Sequence, residues 1–538
     1  WRIQSVKLTL LKEQQMQLLD TLTVEQLYVP LKNTWVIKQQ VIYPAGKFFG
    51  FDFFGNFVQL YDDMQLEPVF KKKFFDNTIL KFYDSSNKKT NAYWDSIRPI
   101  PLLESEIRDY KKKDSLEQVR KDPKYLDSLD KRRNKLTFGK LFLTGQNYGH
   151  TYNKTDLSFD PLIKSFNSYN TVEGYVLSLS GTFTKEYTGR KRLFISPTIR
   201  YGLSNKHLNG YGNIQYNFGK KYFNSISISG GSNVFQINNA APITASSNTV
   251  STLFWRSNYM KIYQAGFVKL QYNRLFSDGF SLFTNIQFQN RQPLENTTNY
   301  SIGKYKDRPF RPNYPTDIVS SNFQRHQAVI ANATIIWRPG AKYIELPDRK
   351  IMLGSKYPTF RFSIAQGING VFGSDVDYTK WKVSMSDNLN LKLGGRFSYR
   401  LETGGFLQSN KTFTPDFNHF MGNQTYQASR YLSSFQLMPY YQFSNTNKMY
   451  GVGHIEYHLN GLLTNKIPVI KKLNWFLVVG ANGMYMNKDA YFYEGFIGIE
   501  NILKIIRVDY LHGVSSKSNL MTGLRFAVPI LFSQPDGE

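Results

Sequence analysis

The sequence predicts an all-β protein, built as a transmembrane antiparallel β-barrel of about 16 strands with a small periplasmic β-rich domain and a helical connector before it. Three observations predict this class. Polar and apolar residues alternate along many segments of about 9 to 12 residues, the length that a tilted strand needs to cross a bilayer. Aromatic residues make up 16% of the chain, although its mean hydropathy is −0.41. Tight and long connections also alternate along the chain.

The segment GYVLSLSGTF at residues 174–183 shows the alternation clearly. Leu177 and Leu179 fall on one side of an extended strand, and Ser178 and Ser180 fall on the other. Segments of the same kind recur, and they predict strands near 138–149, 172–185, 191–203, 209–219, 222–236, 261–276, 279–291, 325–338, 357–367, 378–388, 395–407, 449–460, 473–486, 491–501, 504–512 and 519–532.

The connections between these strands distinguish a membrane barrel from a soluble sandwich. A sandwich also alternates, but its strands are shorter, near 5 or 6 residues, and its loops are short throughout. Short turns on one rim and long loops on the other are typical of outer-membrane barrels. Lipid cannot hydrogen-bond an open sheet edge, so such a sheet must close on itself. Here tight connections alternate with long polar ones, and all the long ones are predicted on one rim: tight at 217–224 and 276–280, long at 238–258, 291–323 and 408–434.

Composition divides the chain into three parts. Residues 1–101 contain aromatic, Gly-rich runs with weak alternation, which predicts the small periplasmic β-rich domain. Residues 102–136 are dense in charge, lack glycine and are interrupted by Pro123, which predicts two solvated helices with Ser105 as the cap of the first. Residues 137–538 form the predicted barrel.

The absence of some residue types excludes several kinds of site. The chain has no cysteine, which excludes disulfides, thiolate zinc sites and cysteine nucleophiles. No segment approaches the roughly 18 consecutive apolar residues of a membrane-spanning helix. The sequence begins at Trp1 and not at methionine, from which we expect a processed or partial chain.

The net charge is strongly positive. The chain has 67 Lys and Arg residues against 40 Asp and Glu residues, a formal charge of +27. This excess indicates an anionic partner, for which we expect lipopolysaccharide phosphates or an acidic protein and not nucleic acid. Solvated Lys and Arg side chains on loops and on the connector are the alternative.

Two groups of polar residues fall on strand faces that should point into the barrel. His454, Glu456 and His458 are spaced two apart, so on a strand they share one face, and a polar layer of the lumen is the simplest interpretation. The zinc-protease pattern is not matched, because it requires a glutamate directly after the first histidine. The second group predicts an ion-pair network in the lumen, and its members are Arg507, Asp509 and Arg525. No metal, no cofactor and no catalytic activity are expected.

The C-terminal run YGVGHIEYHLNGLLTNKIPVIKKLNW, continued to residue 513, resembles the closing strands of BamA-like barrels. The chain is similar over nearly its whole length to an outer-membrane barrel family of Bacteroidota that usually carries a carboxypeptidase-regulatory-like module before the barrel, a module that this sequence lacks. That family has no firmly established activity, so the resemblance implies location and architecture. The segments that carry it are YWDSIRPIPL at 93–102, NTVEGY at 170–175, DFNHFMGNQT at 416–425 and LNGLLTNKIPVIKKL at 459–473.

The BamA-like resemblance implies that DFNHFMGNQT lies in a large loop that folds into the lumen before the twelfth strand. In BamA-like barrels an arginine of this loop pairs with an acidic residue of the wall. This sequence has no arginine at the loop tip, and Glu173 stands where an arginine would be expected, so neither that ion pair nor an insertase role is predicted. A simple turn at Gly422 and Asn423 is the alternative. The apolar run at 433–445 is assigned to the same loop, whose candidate residues are Asp416, His419, Phe420, Gly422 and Asn423.

Three functions remain open. The first is an outer-membrane barrel that contacts lipid and lipopolysaccharide and joins other outer-membrane or periplasmic subunits in an assembly, secretion or transport complex, with its N-terminal domain in the periplasm. The second is an outer-membrane enzyme of the lipase or protease type, which needs a Ser or Asp beside a His at the rim. The third is a soluble β-protein that binds glycans through its many Tyr and Phe side chains.

Overall fold

The chain folds into a small N-terminal sheet, a helical segment and one large antiparallel sheet. The computed structural model describes residues 3–12, 19–48, 51–72, 74–86, 88–98, 101–102, 104–166, 168–219, 223–276, 279–305, 308–318 and 323–528. In chain order its strands are β1 Ser5–Leu11, β2 Thr21–Leu31, β3 Thr34–Phe48, β4 Phe51–Phe54, β5 Phe57–Leu60, β6 Thr78–Lys81, β7 Gln146–His150, β8 Thr155–Phe159, β9 Tyr169–Asn170, β10 Gly174–Glu186, β11 Arg192–Gly202, β12 Leu208–Phe218, β13 Asn224–Gln236, β14 Ile262–Leu275, β15 Phe280–Pro293, β16 His326–Trp337, β17 Lys342–Glu345, β18 Lys350–Gly354, β19 Thr359–Gly367, β20 Asp377–Asn390, β21 Arg396–Lys411, β22 Asn418–His419, β23 Ser444–Asn445, β24 Tyr450–His458, β25 Phe476–Asn487, β26 Ala490–Ile502, β27 Ile506–Ser515 and β28 Ser518–Ala527. The helices are α1 Asn91–Ile97, α2 Glu104–Lys121, α3 Pro123–Asn134, α4 Ile163–Phe166, α5 Ala245–Trp255 and α6 Pro468–Leu473.

The N-terminal sheet is formed by β1 to β5, in the order β1-β2-β3-β4 with β5 also paired to β3. It accounts for the β-rich character predicted for residues 1–101, although α1 also lies in that range. The boundaries predicted at residues 101 and 136 stay predictions.

The connector contains two helices separated at Pro123, as the sequence predicts. Asp122 caps α3, since its side chain accepts a hydrogen bond from the Lys124 amide at 2.9 Å, and Pro123 occupies the first turn. The cap predicted at Ser105 is wrong, because α2 already begins at Glu104 and Ser105 lies inside it.

Helix α3 is attached to the hairpin β7–β8. The Asn134 side chain donates to the Gly149 carbonyl and accepts from the Gly149 amide, both at 2.8 Å. The Asp130 carboxylate accepts from the amide and the hydroxyl of Thr151 at 2.7 Å. These side-chain bonds fix the connector to one end of the large sheet.

The predicted strands from 172–185 to 504–512 agree with the strands of the large sheet from β10 to β27 to within a few residues. The last predicted strand, 519–532, corresponds to β28, and residues 529–532 lie outside the described residues. The first predicted strand, 138–149, is wrong in its first half. Residues Lys140–Thr144 form a π-helical turn, closed by a bond from the Gly145 amide to the Lys140 carbonyl at 2.7 Å, and β7 begins only at Gln146. Gly145 has φ +89°, a conformation that glycine adopts without strain and that ends the turn.

The strands of the large sheet pair in series. The series runs through β10 to β16, β19 to β21 and β24 to β28, and β10 also pairs with β8 and β9. The all-β prediction is therefore confirmed in its coarse form, as a mostly β chain with one large antiparallel sheet.

The two faces of the large sheet have opposite character. One face carries apolar side chains that stay exposed, and these form what we call the apolar belt: Leu177, Leu179, Ile195, Ile199, Ile214, Ile226, Ile228, Val268, Leu270, Ile286, Ile335, Phe362, Ile364, Leu401, Ile455, Ile497, Leu524 and Phe526. The other face is half-buried to buried, and the connection at residues 412–449 packs on the part of it formed by β24 to β28. The apolar phase of GYVLSLSGTF thus does not touch a protein core.

The longest connections leave the sheet at one rim, which we call the loop rim. They join β13 to β14, β15 to β16 and β21 to β24. The opposite rim, the connector rim, holds the turn Thr151–Lys154 of the β7–β8 hairpin. The strand ends on either side of the predicted tight connections 217–224 and 276–280 also lie there, while residues 220–222 and 277–278 are outside the described residues. Two longer connections, which contain β17–β18 and α6, also lie on the connector rim, so the prediction of long loops on one side only is wrong.

Candidate functional site

The connection at residues 412–449, which we call the interior loop, packs on the buried face of the large sheet. Ring centroids of loop and strand aromatics lie 5.4 Å apart for Phe435 and Phe492, and 5.1 Å for Phe420 and Tyr450. Met438 of the loop is fully buried in the same cluster. The interior loop is therefore a built part of the core, and the assignment of residues 433–445 to it agrees with the structure.

A buried ion pair joins the interior loop to the wall of the sheet. The Arg291 guanidinium on β15 lies 2.7 Å from the Asp416 carboxylate of the loop, with side chains 1% and 0% exposed. Asp416 also accepts hydrogen bonds from the Phe413 amide at 3.1 Å and from the Tyr378 hydroxyl at 3.3 Å. The Lys380 ammonium on β20 donates to the Asp416 carbonyl at 2.8 Å. A charge this deeply buried is tolerated only with partners of this kind.

The prediction from the missing loop arginine concerns a pair with the arginine on the loop and the acid on the wall. A loop-to-wall pair is present, with the charges exchanged, since the acid lies on the loop and the arginine on the wall. Asp416 is among the predicted site residues, whereas Arg291 is not. Its inward phase, shared with the buried Gln289 on β15, is the signal that could have found it.

A second attachment holds the middle of the interior loop. The Glu494 carboxylate on β26 accepts from the amides of Gln436 and Leu437 at 2.7 and 2.8 Å. The Arg525 guanidinium on β28, a predicted site residue, donates to the Gln436 carbonyl at 2.8 Å. The peptide of Gln436 is thus held between one acid and one base of the wall.

The third group is a charge network on β24 and β27. Arg507 lies 2.9 Å from the Asp509 carboxylate and also binds Glu456. The Tyr431 hydroxyl of the interior loop donates to Asp509, and the Arg507 guanidinium stacks 3.8 Å above the Tyr431 ring. The predicted pair Arg507 and Asp509 therefore forms, and it also contacts the loop.

The three residues predicted to share one face of β24 are all buried, but they do not converge on one point. His458 lies 3.4 Å from Glu456 and 2.9 Å from Glu500. His454 instead contacts the Asn482 side chain at 2.8 Å. In the described part of the chain, no group of three or more His, Cys, Asp or Glu side chains is arranged to hold a metal ion.

The remaining predicted loop residues are structural. Burial lowers the pKa of His419 to about 4, so the neutral ring donates from Nε2 to the Thr414 carbonyl at 2.7 Å and accepts at Nδ1 from the Ser444 hydroxyl at 2.8 Å. Asn423 accepts at its side-chain oxygen from the Thr425 amide at 2.9 Å, which is an Asx-turn. The turn interpretation of Gly422 and Asn423 therefore agrees with the structure.

Glu173 lies near the loop rim and is fully buried. Its carboxylate accepts from Arg200 at 2.8 Å and from Asn170 at 2.9 Å. The acid found where the resemblance predicts an arginine thus pairs with a neighbouring strand and not with the interior loop.

Gly422 is a position where an added methyl group has no room. A Cβ there would lie 2.3 Å from the Met438 carbonyl oxygen, which is backbone and cannot turn away. We expect Gly422→Ala to destabilise the chain by about 1–3 kcal/mol, and to make the interior loop more sensitive to protease. Gly451→Ala is the matched control, because nothing lies within 4 Å of its Cβ position. Equal stability of the two variants in urea unfolding would contradict the packing of the loop.

Comparisons with known proteins place the chain in a family and show distant fold similarity. The C-terminal domain of DUF5686, a family of unknown function, matches residues 139–499, and DUF5686 itself matches residues 1–64. No curated protein matches the sequence. No helix in the described ranges is long and apolar enough to span a membrane.

Three solved structures show the range of similarity. CdiB from Acinetobacter baumannii has 13% identity and a TM-score of 0.32, covering 66% of this chain and 57% of its own. BamA from Haemophilus ducreyi lacking POTRA domains 1–3 has 10% identity and a TM-score of 0.37, covering 75% and 78%. Wzi, an outer-membrane carbohydrate-binding β-barrel of Escherichia coli, has 9% identity and a TM-score of 0.25, covering 64% and 75%. The chain thus spans less than two thirds of the CdiB length, and similarity at this level supports no inference about function.

Proposed function

The chain belongs to DUF5686, a family of unknown function, and we propose that its large sheet closes as a barrel in the outer membrane and serves as a subunit of an assembly, secretion or transport complex. The role is non-enzymatic in this proposal. The N-terminal sheet lies in the periplasm, where it contacts partner subunits. The basic surface binds lipopolysaccharide phosphates or an acidic protein.

The apolar belt is the observation that carries this proposal. Its side chains remain about half exposed in the middle of long strands, for example 51% at Leu179, 55% at Ile199 and 51% at Ile497. A soluble sheet buries its apolar face, whereas this sheet buries the face that holds Arg291, Glu456 and Arg507. An apolar exterior around a charged interior suits lipid outside and a polar lumen inside.

The ends of the belt also suit a membrane. At the connector rim, Phe280 and Trp337 stack with ring centroids 5.6 Å apart, and Phe360 lies 5.6 Å from the same Trp337 ring. Aromatic residues are enriched at the level of lipid headgroups. Closure of this sheet, as we propose it, leaves no open sheet edge in lipid.

The interior loop suggests a closed resting state. It occupies the lumen side of β24 to β28 and is held by Arg291, Glu494 and Arg525. Passage of a substrate through the barrel then requires that these contacts break. A transport role therefore predicts that release of the interior loop increases conductance.

The proposal is tested on the native protein. After detergent extraction from membranes, we expect the chain to migrate faster on a cold gel than after boiling, and to elute together with other envelope proteins that mass spectrometry can identify. Full solubility without detergent, with one migration rate at both temperatures, would contradict the membrane assignment. Elution alone as a folded barrel would contradict the role as a subunit.

A further inference from the structure

We propose a second membrane contact, an inference that depends on the proposed barrel. It is a pad at the connector rim that inserts into the periplasmic phospholipid leaflet. We call it the rim pad. It combines exposed aromatic, basic and aliphatic side chains from two distant parts of the chain: Phe70, Lys71, Lys72, Phe74, Phe75, Leu80, Ile351 and Leu353.

The aromatic part of the rim pad is a cluster that the protein leaves in water. Phe70, Phe74 and Phe75 contact one another, with ring centroids 4.7 to 5.1 Å apart. They are nevertheless 48%, 63% and 73% exposed. Soluble surfaces rarely leave contiguous apolar groups of this kind uncovered, so the cluster indicates an interaction surface.

The aliphatic part lies on a small sheet that joins this region to the rim. Strand β6 pairs in parallel with β17, and β17 pairs with β18. The registers align Leu80, Ile344 and Ile351 across one face, and Leu80 and Ile351 are exposed. The opposite face holds the charges, since Lys81 and Lys350 lie 3.8 and 3.6 Å from Glu345.

The place of this small sheet along the chain favours lipid as the partner of the rim pad. The connection that contains β17 and β18 begins after Trp337 and returns to the large sheet at Thr359. Trp337 belongs to the aromatic group that ends the apolar belt. Phe75 is three residues before β6, within about 10 Å of it along the chain. The β17–β18 part of the rim pad thus follows along the chain from the surface that the proposed barrel presents to lipid.

The charge of the rim pad favours phospholipid over a protein partner. Lys71 and Lys72 are exposed beside the Phe cluster. Phe side chains that enter the acyl region beside Lys side chains at the phosphates are typical of interfacial membrane anchors. Protein interfaces, by contrast, are depleted in lysine. We therefore assign the aromatic and aliphatic side chains to the acyl boundary and the two lysines to lipid phosphates.

The absence of cysteine from the chain makes a direct test simple. Single cysteines are introduced in the full-length protein at Phe75 and Leu353 in the rim pad, at Leu179 in the apolar belt, and at Phe54, which is 89% exposed on β4 of the N-terminal sheet. Each is spin-labelled in vesicles of phosphatidylcholine and phosphatidylglycerol, and its collision rates with oxygen and with a water-soluble nickel complex are compared. We expect oxygen collisions to dominate at Phe75, Leu353 and Leu179, and nickel collisions to dominate at Phe54.

The outcomes separate the two proposals. Labels at Phe75 and Leu353 that behave like Phe54, with Leu179 in lipid, overturn the rim pad and leave the barrel intact. A Leu179 label in water overturns the barrel itself.

The lysines are tested with Lys71→Gln/Lys72→Gln, which should lower the oxygen preference at Phe75 several-fold, and with Lys111→Gln/Lys112→Gln on α2 as control. An unchanged preference in the first pair overturns the assignment of these lysines to phosphates.

Discussion

Replacing Asp416 by alanine is expected to destabilise the folded chain by about 3–5 kcal/mol, because it leaves the fully buried Arg291 guanidinium without its counter-charge. The interior loop should leave the sheet at this end, since the Tyr378 hydrogen bond is also lost. Urea unfolding of the protein in lipid vesicles measures the stability. Ion conductance across planar bilayers measures the opening of the lumen, and we expect it to rise.

Asp375 offers a matched control for this prediction. Its carboxylate lies 3.0 Å from the Lys411 ammonium, but the two side chains are 38% and 53% exposed. Asp375 also accepts from the Gln327 amide at 3.0 Å. Solvent screens the ion pair and a neutral hydrogen bond adds little, so Asp375→Ala should cost about 1 kcal/mol, well below the cost of Asp416→Ala. A similar cost for both aspartates would show that Asp416 does not hold the interior loop.

A double-mutant cycle then isolates the pair itself. Arg291→Ala removes the guanidinium that Asp416→Ala leaves uncompensated, so the double variant should be less destabilised than the sum of the two single variants. Additive losses would mean that the two residues act independently. Conductance that rises in both single variants would attribute the closed state to their contact.

The strands of the large sheet could be predicted because their information is local. Each has a period of two and the length of a membrane crossing, and neither feature depends on the path of the loops. The error at 138–149 arose because a short apolar run such as the one in KLFLT is compatible with a strand or a helix, whereas here the turn is π-helical and ends at Gly145. The long connections at the connector rim could have been predicted, because strand order alone fixes the rim of each connection and the predicted strands leave the gaps 339–356 and 461–472 at that rim.

The site was only half predictable, for a different reason. Parity along a strand indicates which side chains face inward, and it identified Glu456, His458, Arg507 and Asp509. The partner of each inward charge depends on how the interior loop crosses the lumen. Arg291 and Asp416 are far apart in sequence, and no periodic pattern connects them. The parallel pairing of β6 with β17 is unpredictable for the same reason.

Replacing Leu179 by arginine is expected to cost about 2–4 kcal/mol in a bilayer, because it places a charge near the middle of the apolar belt. Leu179 lies near the centre of β10, opposite Ile199 on β11, and both side chains are exposed. The same substitution in a water-soluble sheet would be mild, since an exposed arginine needs no desolvation. Unfolding in vesicles and the fraction of folded protein on a cold gel both measure the loss.

Ser180→Arg, at the next residue of β10, is the control. The two positions face opposite sides of the sheet, so the comparison tests lipid on one side against a polar lumen on the other. Ser180 faces the other side of β10, where its hydroxyl lies 3.0 Å from that of Thr198. A polar lumen accepts a charge, so this variant should lose less than about 1 kcal/mol. The ratio of the two losses reports which face meets lipid, independently of any global effect of arginine on β10. Equal losses at Leu179 and Ser180 would place the apolar belt in water, and the proposed barrel would then have no membrane to cross.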